Sequence, residues 1–139
     1  MALPTINPTT TKAWKELTSH YESIKNKHLK ELFKNNPERA TELSIEWNDF
    51  YVDYSKNRID NTTIELLLQL AEETKLSDAI ASYFNGDIIN ETEGRAVLHT
   101  ALRNFSDKEV NVSGHNIIPE VADVKQKIKD FSERVISGT

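Results

Sequence analysis

The stretch that most constrains the fold is the last one, residues 119–138. Pro119 stands where a helix tolerates proline best, because the first helical N–H has no partner inside the helix. Val121, Val124, Ile128, Phe131 and Val135 then follow at spacings of three and four, which lays one apolar stripe along a helix. Gly138 can close that helix in a left-handed conformation. A helix with a single apolar stripe has to lie on something, so the chain must supply a matching surface or be given one.

Composition leaves both options open. At 139 residues there is room for one domain, and residues 1–139 read as a single, mostly helical region with no internal linker or repeat. Only 37% of the residues are hydrophobic and 28% are charged, which suits a helical piece with several wet faces or a segment that leans on a neighbour. A formal charge of −5 argues against nucleic-acid binding, which needs a concentrated basic surface. With no cysteine, neither a disulfide framework nor a thiolate metal site is possible. No apolar run reaches membrane-spanning length, and the start Met-Ala-Leu-Pro-Thr lacks the basic and apolar regions of a signal peptide. The expectation is a soluble cytoplasmic chain that engages no membrane.

Along the chain, Pro4, Pro8 and the threonines from Thr9 make an extended lead-in that ends at a helix cap. Trp14, Leu17, Tyr21 and Ile24 share one helical stripe, with His20 and His28 off it and solvated. A second helix with Leu29, Leu32 and Phe33 stops at Asn35-Asn36-Pro37. From Leu43 the period changes to two: Leu43, Ile45 and Trp47, then Asn48-Asp49, then Phe50, Val52 and Tyr54. That pattern predicts a two-stranded hairpin, which needs a helical layer over its apolar face. Thr62 and Glu65 form a capping box for a helix turning Ile64, Leu67, Leu68 and Ala71 inward, and Ser77 caps a shorter helix ended by Asn85-Gly86. Val110 and Val112, Ser113-Gly114, then Ile117 and Ile118 predict a second small hairpin before the final helix. The fold class is mainly α with two small β-hairpins.

Residues 85–103 hold the densest special chemistry. Asn90 and Glu93 read as a capping box, predicting a helix from about Glu91. On such a helix Glu91, Arg95, His99 and Arg103 recur every four residues, opposite Val97, Leu98, Ala101 and Leu102. The Arg95, His99 and Arg103 face is the candidate anion-binding site, since guanidinium groups and an imidazole on one stripe suit phosphate or carboxylate. The competing reading is a set of structural ion pairs, which is the commoner use of such stripes. The four histidines, His20, His28, His99 and His115, lack metal-site spacing, and no Gly-rich loop follows a strand. Glu72-Glu73 reads as a solvated run, and Ser55-Lys56 is adjacency without geometry.

The words Phe84-Asn85-Gly86-Asp87-Ile88-Ile89-Asn90 and Thr92-Glu93-Gly94-Arg95-Ala96-Val97-Leu98-His99-Thr100-Ala101-Leu102-Arg103-Asn104 resemble the N-terminal region of the glucose-6-phosphate isomerase family. Matching words flank them in the same order: Leu32-Phe33 and Val52-Asp53-Tyr54-Ser55-Lys56-Asn57 upstream, Ser113-Gly114, Pro119-Glu120-Val121 and Ser137-Gly138 downstream. The resemblance implies an aldose–ketose isomerase of glycolysis and gluconeogenesis that works through an enediolate without a cofactor. It also implies two sugar-isomerase-type (SIS) α/β domains after Thr139, carrying the base, the proton shuttles and the phosphate cradle. No catalytic residue of the family falls on this chain. Its expected partners are the remainder of the isomerase chain and a second subunit in a homodimer, with a sugar phosphate as substrate of the whole. On this reading the 139-residue piece is inactive alone. The alternative is a free-standing helical interaction module without catalysis.

Overall fold

The computed structural model describes residues 3–106 and 108–138. The chain divides into two compact units, one comprising Ile6–Thr74 and the other Met1–Thr5 with Lys75–Thr139.

The Ile6–Thr74 unit is built on two antiparallel helices. Asn7 caps a short 3-10 turn, Pro8–Thr10, and the Thr11 hydroxyl then accepts the Trp14 N–H at 3.2 Å to start α1, Lys12–Ile24. Against it lies α4, Asn61–Glu73. The Glu73 carboxylate accepts the Ala13 N–H at one end, and His20 meets Asp60 and Thr63 at the other. The cap of α4 is Asp60 with Thr63, not Thr62 with Glu65: Asp60 accepts the Thr63 N–H at 3.1 Å and the Thr63 hydroxyl accepts the Asp60 N–H at 3.2 Å. A carboxylate suits the positive end of the helix better than a hydroxyl does.

The buried face of α4 also differs from expectation. Contacts at Thr63 and Glu73 put Thr63, Leu66, Leu70 and Glu73 on the α1 side, while Leu67 and Leu68 are 46% and 62% exposed. Residues 64–71 are apolar at six of eight positions, so the helical period has no unique phase there and the packing partner chooses it.

Between these helices come α2, Leu29–Asn35, the short α3, Arg39–Glu42, and the expected hairpin of β1, Ser44–Trp47, and β2, Phe50–Asp53. The two-residue turn at Asn48-Asp49, with Asn48 at φ 48°, sets Ile45 opposite Val52 and Trp47 opposite Phe50. All four therefore share one face, and the Trp47 and Phe50 rings stack at 5.7 Å. Among the described residues the expected helical layer does not cover that face: these side chains are 52–65% exposed. The ribbon is held at its base instead, where the Tyr54 N–H donates to the Leu43 carbonyl at 3.0 Å.

In the second unit α5, Leu76–Asn85, starts after Lys75 in a left-handed conformation rather than from a Ser77 cap, and it closes on Gly86. The second hairpin forms at the predicted turn, with β3, Asn111–Val112, paired to β4, His115–Asn116, around Ser113-Gly114, but it is shorter than expected, because Ile117 and Ile118 go to the cap and first position of the helix that follows. Gly86 is buried against β3. A single turn, α6, His99–Leu102, precedes this hairpin, and α7, Ile118–Ser137, follows it. Proline occupies the first turn of α7 and Gly138 closes it at φ 72°. Its stripe does not enter a core: Val124, Ile128, Phe131 and Val135 are 52–64% exposed.

Candidate functional site

The helix expected from Glu91 does not form. The Asn90 side chain does accept the Glu93 N–H, at 3.3 Å, as a cap would. Gly94 then takes φ 63°, and the backbone reverses so that Asn90 and Arg95 exchange both backbone hydrogen bonds at 3.1 and 3.2 Å. The Asn90–Glu93 pattern builds a tight turn, since a short acceptor side chain caps turns as readily as helices. Glu93 accepts from the Asn90 amide at 2.9 Å and pairs with Arg95. Arg95 is therefore matched to Glu93 within the turn, and Glu91 plays no part in the pair.

Because residues 96–98 are not helical, the predicted ionic stripe is split. Arg95 and His99 line one hollow of about 480 Å³, whose other walls include Ile88, Leu98, Leu102 and Val112. Arg103, the residue after α6, lines a different hollow with Phe84 and Thr100, which His99 also borders. His99 thus touches both spaces, and neither hollow is lined by all three residues. Among the described residues no group of three His, Asp or Glu side chains could hold a metal ion.

More ordered polar clusters occur in Ile6–Thr74. His20, expected in solvent, is only 13% exposed at its side chain, and its Nε2 lies 2.9 Å from both Asp60 Oδ1 and Thr63 Oγ1. Since both partners meet the same ring nitrogen, this is a latch between α1 and the cap of α4 and not a nucleophile–base–carboxylate relay. Burial pushes the Asp60 carboxyl up, but the Thr63 N–H and hydroxyl together with His20 outweigh it and hold the group below its ordinary 3.8. The stability it contributes is complete above that ordinary value and is lost as pH falls through the depressed one. Asp60→Asn should flatten the acid limb of a stability–pH curve, and Asp60→Ala should cost about 1–2 kcal/mol in urea unfolding. An unchanged acid limb in Asp60→Asn would discard this account.

Sequence reasoning missed Arg39. It is 2% exposed and crosses to the segment after β2, donating through Nε to the Ser55 carbonyl and through Nη2 to the Asn57 carbonyl, each at 2.8 Å, with Phe33 beneath it at 5.6 Å. Ser55 is itself 1% exposed, and its N–H donates to Asp53 Oδ1 at 2.8 Å. The Ser55 hydroxyl and N–H, with Lys56 nearby, lower the Asp53 carboxyl. Ser55-Lys56 is thus a structural corner. A lone arginine in a short turn of helix carries no local mark of burial, so no sequence signal pointed to it.

The fold and these clusters define a mainly α protein whose polar groups tie its segments together and whose apolar stripes face outward. No described helix is long and apolar enough to cross a membrane. The chain belongs to the phosphoglucose isomerase family, whose model matches residues 53–139. It is 60% identical over 134 residues to a glucose-6-phosphate isomerase of Christiangramia forsetii, covering 96% of this chain and 25% of that protein. It is 47% identical over 136 residues to a glucose-6-phosphate isomerase of Desulforapulum autotrophicum, covering 98% of this chain and 24% of that protein. The chain thus spans about a quarter of the length of these curated relatives, and the resemblance read from residues 84–104 is borne out.

Proposed function

We propose that this chain supplies the N-terminal helical region of a cytoplasmic, homodimeric glucose-6-phosphate isomerase, which interconverts glucose 6-phosphate and fructose 6-phosphate. The observation carrying this reading is the 60% identity that spans 96% of this chain but only 25% of the relative. The region's role is structural: it packs against the sugar-isomerase-type domains that hold the catalytic groups and supports the dimer. The exposed stripe of α7 and the bare face of the β1–β2 ribbon are consistent with that role, because isolated surfaces of this kind are costly in water. On this reading Arg95 serves in its ion pair with Glu93, and His99 and Arg103 serve in packing.

The test is isomerase turnover by the 139-residue protein alone, by the rest of the Christiangramia relative alone, and by the two mixed. Activity restored only in the mixture is expected. Turnover by the 139 residues alone, abolished by His99→Ala, would overturn the structural role.

A further inference from the structure

We propose that Asn85-Gly86 is a deamidation site that the sequence makes reactive and the fold of residues 75–139 holds shut. The dipeptide occurs once in the sequence. Its chemistry needs only water: the Gly86 backbone nitrogen, giving up its proton, attacks Cγ of the Asn85 side chain. The bond between Cγ and Nδ2 of Asn85 breaks, ammonia leaves, and a five-membered succinimide forms between the two residues. Water then adds at either ring carbonyl, giving aspartate or isoaspartate. The sum is one amide and one water converted to one acid and one ammonia. Glycine favours the attack because it has no Cβ to crowd the incoming nitrogen, and Asn85 is exposed at the end of α5.

Three features of the fold oppose that step. First, the Gly86 N–H donates to the Ser82 carbonyl, and the Asp87 N–H donates to the same oxygen at 3.0 Å, so the attacking nitrogen is engaged in the helix cap. Second, Asn85 is helical, and it must leave that conformation before the nitrogen can approach its Cγ. Third, Gly86 is buried, and the position a Cβ would take is 3.1 Å from Val112 Cγ2 and 3.2 Å from the Asn111 carbonyl oxygen. The junction cannot swing without parting from β3. Reaction therefore proceeds only through an opening of the α5 end from the hairpin, at a rate set by how often that opening occurs.

The products work against reclosure. Aspartate places a negative charge at the carboxyl end of α5, the unfavourable end of its dipole. Isoaspartate routes the backbone through an extra carbon, which moves Gly86 out of the cap. Each event is irreversible and loosens the contact that prevented it, so Asn85 records the time this region has spent open.

The 139-residue protein is held in mildly alkaline buffer with and without denaturing urea, and the Asn85-Gly86 peptide is followed by mass spectrometry with chromatographic separation of isoaspartate. The native rate is expected to lie at least about 10-fold below the denatured rate, equivalent to about 1.4 kcal/mol of opening. Val112→Ala, which removes the nearest contact, should raise the native rate several-fold and leave the denatured rate unchanged. As a measure free of any substitution, the wild-type rate should climb through low urea in step with hydrogen exchange at the Gly86 amide. Equal native and denatured rates, or a native rate flat across low urea, would overturn the proposal.

Discussion

Replacing Arg39 with alanine is expected to destabilise the Ile6–Thr74 unit by about 3–5 kcal/mol, the range for removing one member of a buried charged hydrogen-bond set. A unit of this size has only a few kcal/mol to lose, so the variant should be largely unfolded there. The reason is the number of groups left without partners. Arg39 provides the donors for the Ser55 and Asn57 carbonyls at 2.8 Å; alanine leaves both oxygens facing a cavity that also strips one face of Phe33. Arg39→Lys restores a charge but cannot span two carbonyls with a planar fork, so an intermediate loss is expected. Arg39→Met keeps volume without donors and should behave closer to alanine. Both tryptophans of the protein, Trp14 and Trp47, lie in this unit, so urea unfolding followed by their fluorescence reads the effect directly. An alanine variant within about 1 kcal/mol of the parent, less than a single charged hydrogen bond usually contributes, would show that the carbonyls find water at no cost.

What could be read in advance divides by the range of the interaction that decides it. The hairpin at Asn48-Asp49, the Ser113-Gly114 turn and the start and stop of α7 were legible because turn residues, a proline and a glycine act within a few positions of themselves. The Asn90–Glu93 hydrogen bond was also legible, but its consequence was not: the same bond can open a helix or fasten a turn, and Gly94 at φ 63° sends the backbone back to pair Arg95 with Asn90. With that reversal the stripe of Arg95, His99 and Arg103 separates into two hollows. His20 and Arg39 are tertiary cases. A polar residue beside an apolar stripe reads as solvated until the facing helix presents a carboxylate and a hydroxyl, as α4 does at Asp60 and Thr63. The exposure of the β1–β2 face and of the α7 stripe lies at a further range still. Their patterns are those of core elements, yet these side chains stay more than half exposed, so the pattern alone does not say what would cover them.

The second large effect is expected at Gly86, where two costs coincide and can be separated. Gly86 holds φ 76°, a conformation that penalises an L residue by roughly 1–2 kcal/mol and a β-branched one more. It is also hemmed in by Val112, by Val110 at 3.3 Å, and by the Asn111 carbonyl oxygen. The side chains can yield a few tenths of an ångström, but the carbonyl moves only with β3, which pairs with β4 and leads by the Ile117 N–H to Val110 carbonyl bond into α7. Gly86→Val should therefore cost about 3 kcal/mol, combining backbone strain with the 1–3 kcal/mol usual for overpacking. Gly94 supplies the control, because it has a similar φ of 63° with nothing within 4 Å of an added Cβ. Gly94→Ala isolates the conformational cost, and Gly86→Ala adds the contact with β3 to it. Hydrogen exchange across α5 and α7 should show Gly86→Ala losing more protection than Gly94→Ala, with Gly86→Val losing most. Equal losses in the two alanine variants would mean that β3 gives way freely, and the close approach of Gly86 would then contribute nothing to holding residues 75–139 together.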